Sequence, residues 1–387
     1  MDFSFPKEYE LFRRMVREFA KNEVAPIAAE IDRDERVPME TIKKAAKLGL
    51  MGVPFPQKYG GAGAGEMGYC IFMEEINRVC GSTATIIGAH TGIGAMSIYL
   101  DGTEEQKQKY LVPLARGEKI AAFALTEPNA GSDAAAIQTR AVRDGDYFVL
   151  NGSKLWITNG DIADVITVFA VTDPALGARG GVTAFIVESH YPGFKVGTKE
   201  EKLGIRGSST CELFFDDCRV PKENVLGQFG AGFITALKTL DIGRTGLGAG
   251  CLGGSQAALE LSIDFAKSRR QFGAPIAQKQ AIQWMIADMA TEIEALRSLV
   301  YRTAWLIDTG QRHSREAAMC KLFGSEVLHR CVNKCLQIHG GMGYMKKYPV
   351  ERMYRDARIT EIFEGTNEVQ RLVIATDIFR QAGLRIT

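Results

Sequence analysis

The sequence predicts a multidomain α+β chain in the order helical, β, helical, and three observations predict it. Near the start, Leu11, Phe12, Met15, Val16 and Phe19 recur at helical spacing. Between Tyr147 and Val220 lie the β-rich runs YFVL, KLWIT, DVITVFAV, VTAFIV, FKV and ELFFDD. Later, Ile282, Met285, Met289, Ile293, Leu296, Val300 and Ala304 mark one apolar stripe on a long helix.

The limits follow from where the pattern changes: a helical region over 1–120, a β region over 121–231, and a second helical region over 232–387. Within the first, the glycine-rich stretch from Tyr59 to Gly68 (YGGAGAGEMG) has no preceding strand and no acidic partner at dinucleotide-binding distance, so it reads as a loop. Within the second, Asp144-Gly145, Asn151-Gly152 and Asn159-Gly160 are turn signals. Short strands so punctuated predict an antiparallel sheet or small barrel, not a parallel nucleotide-binding sheet. No repeat or low-complexity linker interrupts the chain.

Lys+Arg number 47 and Asp+Glu 46 among 387 residues, a net charge of +1, which argues against nucleic acid as the partner. No apolar run approaches the ~18 residues of a membrane span, so no stable membrane insertion is expected. The N-terminus, MDFSFPKEYELFRR, lacks the apolar core of a signal peptide, and a cytoplasmic location is expected. Eight cysteines form no CxxC and five histidines no HExxH. Cys331 and Cys335 stand four apart, but reduced structural thiols are the plainer reading, and no metal is expected.

The chemistry concentrates in three stretches. Ile359–Val369 (ITEIFEGTNEV) offers the carboxylate of Glu364 on a glycine-loosened turn. Phe123–Asp133 (FALTEPNAGSD) and Lys154–Asn159 (KLWITN) offer hydroxyls, backbone donors and an indole suited to a flat polar ring. Together they point to a base beside an aromatic cofactor, and so to an enzyme. The competing readings are plain: Glu361, Glu364 and Glu368 as a solvated helix face, and Trp156 as sheet core.

With NGSKLWITN, KLGIRGSS, VPKENVLG, RRQFG, QIHGGMGY and EIFEGTNEVQR added, the chain resembles the acyl-CoA dehydrogenase family almost throughout, in order and at matching spacing. The more specific likeness is to medium- and long-chain members with the catalytic glutamate in the late EGT motif. The resemblance implies a C-terminal four-helix bundle, a homotetramer, non-covalent FAD, and conversion of an acyl-CoA to a trans-2-enoyl-CoA, as in fatty-acid β-oxidation. Electrons then pass to electron-transferring flavoprotein.

By resemblance Glu364 is the base, since a thioester α-proton needs a carboxylate whose proton affinity desolvation has raised. Gly365 lets the thioester lie against the turn. FAD contacts are implied for Phe123, Leu125, Thr126, Gly131, Ser132, Trp156 and Thr158, with Thr366 and Glu368 at the late turn. Arg269, Phe272, Gln280, Gln337 and Gly341 match residues that reach a neighbouring subunit's FAD. For the CoA thioester the matches are Ser132, Ser208, Asp241 and Arg244, the last two on one helix face or merely a surface ion pair. Gly243 occupies the position where other members carry the base, which excludes the isovaleryl-type arrangement.

The alternatives are a same-fold flavin oxidase, whose acyl-CoA members are usually longer and whose nitroalkane members use aspartate, and a scaffold without cofactor. For the acyl tail, Gly88, Ala89, Gly92, Gly94 and Ala95 either leave a deep pocket or permit close helix packing. The expectation from the first option is a straight chain of medium to long length.

Overall fold

A computed structural model describes residues 4–384, so the outer domain limits at 1 and 387 lie outside the described residues. The first region is helical from Lys7 to Ala115, and its principal helices are α1 (Lys7–Phe19), α2 (Gly65–Asn77) and α3 (Gly81–Gly88). A π-helical turn, Ala89–Ala95, prolongs α3. Of the first apolar stripe, Val16 and Phe19 are buried and Leu11 is exposed. The stretch 59–68 is a loop up to Gly65, where α2 begins.

The middle region holds β1 (Ala121–Ala124), β2 (Arg140–Asp144), β3 (Tyr147–Thr158), β4 (Val165–Val171), β5 (Val182–Glu188), β6 (Phe194–Lys199), β7 (Thr210–Pro221) and β8 (Val225–Leu226). They form one sheet in the order β6-β7-β3-β2-β4-β5-β8, with β1 beside β4. Most pairings are antiparallel as expected, but β1 and β2 each meet β4 in parallel. These strands enter from a helix and a long loop, not from hairpins, so the chain can approach β4 in the same direction. Asp144-Gly145 does turn the β2–β3 hairpin. Asn151-Gly152 does not turn: it forms a bulge within β3, tied to β7 by paired Asn151–Asp217 hydrogen bonds of 2.8 and 3.0 Å.

The last region contains α4 (Gly232–Ser268), a small hairpin of β9 (Arg270–Gln271) and β10 (Ala274–Pro275), α5 (Gln280–Asp308), α6 (Ser314–His339), α7 (Val350–Arg358) and α8 (Asn367–Gln381). Met289, Ile293, Leu296, Val300 and Ala304 of the predicted stripe are buried. The two helical regions do not have separate cores. Ile71, Phe72 and Ile76 of α2 pack in one cluster with Leu252 of α4, Leu296 of α5 and Val327 of α6. No helix among the described residues is long and apolar enough to cross a membrane.

His90 joins the first region to the sheet. It is fully buried; Nδ1 accepts from the Ala121 N–H at 2.9 Å, which leaves Nε2 to donate to the Leu114 carbonyl at 3.1 Å. Burial pushes its pKa down from 6.5 to about 4 despite these bonds. The unfolded state therefore takes up a proton below pH 6.5 that the native state refuses, and stability present above that pH is lost as pH falls toward 4. The loss expected from this one residue is of order 3 kcal/mol. Urea unfolding of wild type and His90→Gln at neutral and acid pH checks it: the variant should lose less stability on acidification.

Candidate active site

A cavity of about 1310 Å³ opens where the sheet, α2, the π-helical turn, α4 and the segment before α8 converge. Its volume exceeds the few hundred Å³ of an ordinary small-ligand pocket.

The sheet wall is shaped by irregularity in β3. A register shift between Lys154 and Ile157 puts Trp156 at φ 56° and turns its indole outward, 59% exposed, into the cavity wall. Trp156 is therefore not sheet core. Beneath it Lys154 is buried, donating to the Leu125 carbonyl at 3.1 Å and to Glu127 Oε1 at 2.7 Å. Glu127 also accepts the Gln138 and Thr139 N–H groups, so the pair braces the loop holding Thr126, Gly131 and Ser132. Burial pushes Lys154 down to about 8. Phe123, Leu125, Thr126, Gly131, Ser132, Trp156 and Thr158 all line the cavity.

Opposite lies Glu364. The segment around it is not one helix: a short 3₁₀ turn covers Ile359–Glu361, and α8 starts only at Asn367. Glu361 pairs with Arg358 and Glu368 is exposed, so the three glutamates diverge and the solvated-face reading fails. Glu364 lies at φ 55° and Gly365 at φ 89°. Left-handed backbone at a non-glycine residue is strained, and buried donors hold it. Arg244 Nε donates to the Glu364 carbonyl at 3.1 Å. Gln370 Nε2 donates to the carbonyls of Glu364 (3.2 Å) and Gly365 (2.9 Å). Glu364 Oε2 is buried without a hydrogen-bond partner. Burial raises its carboxyl from 4.5 to about 7, against the lowering by Arg244 and Lys321.

Other expected residues fall in distinct places. Gly243 sits directly against the base: a Cβ there would lie 2.6 Å from Glu364 Oε2. Arg244 lines the cavity, whereas Asp241 does not. Asp241 instead binds Arg244 at 3.0 Å and accepts from Ser314 at 2.5 Å, both carboxylate oxygens being engaged inside the fold. Ser208 is buried between Ile205 and Thr210, which line the cavity, and its Oγ has no hydrogen-bond partner. Thr366 caps α8, its Oγ1 accepting from the Val369 N–H at 3.4 Å.

Arg269, Phe272, Gln280, Gln337 and Gly341 are exposed and line no part of this cavity. They gather at one end of the helices, where Phe265 of α4 stacks on His339 of α6 at 4.2 Å. Phe272, at φ 53° in the β9–β10 turn, is 94% exposed.

The glycines of the π-helical turn do not all leave space. A Cβ at Gly92 would lie 2.4 Å from the Tyr69 hydroxyl, and one at Gly246 of α4 would lie 2.5 Å from the Tyr69 ring. Gly94 meets Ala121 at 2.7 Å. Tyr69 therefore fills the crevice between turn and α4, one helical turn along α4 from Gly243, and these small residues serve packing.

Sequence reasoning did not single out Tyr69, Lys321, Asn367 or Gln370. For Lys321 a signal existed: it shares the helical stripe of Ala317, Gly324, Ser325 and Leu328.

Three family models match in order: acyl-CoA dehydrogenase N-terminal domain over residues 6–118, middle domain over 122–218 and C-terminal domain over 230–379. A short-chain-specific acyl-CoA dehydrogenase of Clostridium acetobutylicum is 53% identical, covering 98% of this chain and 100% of its own. Butyryl-CoA dehydrogenase from Megasphaera elsdenii superposes with TM-score 0.96 at 43% identity, covering 98% and 100%. A chain described as electron transferring flavoprotein of Acidaminococcus fermentans superposes with TM-score 0.97 at 46% identity, again covering 98% and 100%.

Proposed function

The chain belongs to the acyl-CoA dehydrogenase family, and from that membership we propose that it oxidises the Cα–Cβ bond of a short, saturated acyl-CoA to the trans-2-enoyl-CoA. The observation that carries this reading is Glu364, whose buried Oε2 has no partner and whose proton affinity burial raises, lining the same cavity as an outturned indole.

Glu364 takes the α-proton onto its carboxylate; burial strengthens it as a base. Gly365 has no side chain, and a Cβ there would meet Gln370 Nε2 at 2.7 Å; the small residue lets Gln370 close on the turn and is proposed to let the thioester lie against it. Arg244 and Gln370 keep that turn from relaxing, so the base stays aimed without reorganisation. FAD, when bound, supplies the two-electron acceptor for the β-hydrogen. The wall fits it: Trp156 offers a flat apolar face, Thr126, Thr158 and Ser132 offer hydroxyls, and Gly131 has open space around it. Thr366 lines the same cavity at the late turn, and Glu368, exposed and outside that lining, is proposed as a further contact. Arg269, Phe272, Gln280, Gln337 and Gly341, exposed and outside the lining of this cavity, are proposed to serve the FAD of another copy in a homotetramer. Electron-transferring flavoprotein is proposed as the next acceptor, in keeping with the likeness to the Acidaminococcus chain.

The short tail departs from the medium-to-long expectation. Tyr69 fills the space beside Gly92, although Gly88 and Ala89 still line the cavity, and two of the relatives named above carry short-chain names. A panel of saturated acyl-CoAs assayed by flavin bleaching tests the reading. Butyryl-CoA should be preferred, and Tyr69→Ala should raise kcat/KM for octanoyl- relative to butyryl-CoA by roughly tenfold, the effect of about two newly buried methylenes at ~0.8 kcal/mol each. A wild-type optimum at palmitoyl-CoA would sink the short-chain assignment. Peroxide formed as fast as electrons reach electron-transferring flavoprotein would make the enzyme an oxidase.

A further inference from the structure

Lys321 is fully buried on α6. An ammonium at such depth is costly unless its surroundings compensate. Its hydrogen bond goes to Asn367 Oδ1 at 2.7 Å, an atom that also accepts from Ser325 Oγ at 3.0 Å. Asn367 is the first residue of α8 and stands three residues after Glu364. The N-terminal end of a helix carries partial positive charge, a poor place for a cation. A neutral donor would tether Asn367 as well, so the charge itself calls for a counterpart. The carboxylates that bear on it, Glu361 and Glu364, lie on the turn before α8, beyond ion-pair distance.

We propose that Lys321 is a positioning residue for the base: it anchors the turn bearing Glu364 through Asn367, and it supplies a second buried cation, with Arg244, to the surroundings of that turn. This rests on the reading of Glu364 given above. The groups facing Lys321 are Cys251 and Arg244 from α4 and Glu361 and Glu364 from the turn. Those facing Glu364 are Arg244, Lys321, Tyr69 of α2 and Cys251. Burial keeps Cys251 a thiol by pushing it up to about 12, and holds Tyr69 well above the ordinary phenol range. The cations beside Glu364 are thus Arg244 and Lys321. Burial pushes Lys321 down to about 8, which leaves it protonated at neutral pH. Arg244 and Gln370 grip the carbonyls of the turn, and Lys321 grips its far end.

The test uses the FAD-loaded enzyme with Lys321→Met, Lys321→Gln and Asn367→Ala. Infrared titration of the substrate-free protein, with Glu364→Gln as blank, reads ionisation of the Glu364 carboxyl; stopped-flow reduction by acyl-CoA reads the base in action. In Lys321→Met the infrared midpoint should rise by about one pH unit or more. Reduction at pH 7 should fall by more than about fivefold and recover only in part in alkali, because the tether to Asn367 is lost together with the charge, with KM little changed. Lys321→Gln, which can still donate to Asn367, should keep the raised midpoint while regaining rate in alkali. Asn367→Ala, which keeps the charge, should lower the rate at every pH without raising the midpoint. A wild-type midpoint in Lys321→Met overturns the proposal. So does failure of both Lys321 variants to fold or hold FAD, which would assign the residue to helix packing. A wild type that no acyl-CoA reduces would instead refute the functional reading, while the infrared midpoint would still decide the role of Lys321.

Discussion

Glu364→Gln is expected to fold, keep yellow FAD, and lose flavin reduction by acyl-CoA by roughly 10³-fold or more. The amide preserves size, and the carbonyl grips by Arg244 and Gln370 act on the backbone, so the turn has no reason to move. What disappears is the atom that accepts the proton. Because only the carboxylate accepts it, and burial sets the carboxyl at about 7, wild-type reduction should rise with pH through neutrality. Anaerobic bleaching of both proteins over a pH series checks both statements. Substantial turnover by the glutamine variant would place the base elsewhere.

Gly243→Ala should be nearly as damaging, although it adds a single methyl and removes no reacting group. The new Cβ would lie 2.6 Å from Glu364 Oε2 and 2.7 Å from Ile93 Cγ2, so it is squeezed from both sides. Alanine gains about 1 kcal/mol of helix propensity over glycine, but overpacking of this kind costs about 1–3 kcal/mol. The strain is relieved most easily by turning the Glu364 side chain away. A base displaced by an ångström costs roughly 10²-fold in rate, so kcat should fall on that scale while the melting temperature moves by only a few degrees. Stopped-flow reduction alongside thermal unfolding separates the two effects. Wild-type kcat in Gly243→Ala would show that the carboxylate does not rest against this helix during turnover.

The π-helical turn shows where local reading stops. Gly88, Gly92 and Gly94 are equally small on the page. Whether small means empty or tightly packed depends on a side chain from another helix, and Tyr69 stands 23 residues before Gly92 and 177 before Gly246. In the same way Asp241 and Arg244 do share a helix face, as their spacing requires. Only the approach of Ser314 decides that Asp241 faces the fold while Arg244 reaches the turn of Glu364.

By itself the sequence determined the helical, β, helical order, because apolar periodicity and turn residues act over a few neighbours. Its motifs also determined the family, and with it which residues to inspect, Glu364 and Trp156 first. Only the tertiary structure decided that the two helical regions share one core, that a bulge turns Trp156 outward, and that Lys321, Asn367 and Gln370 stand behind the base. Desolvation, which makes Glu364 a base near neutral pH, is a property of everything packed around it. Those neighbours come from α2, α4, α6 and α8, and no local stretch of sequence contains them together.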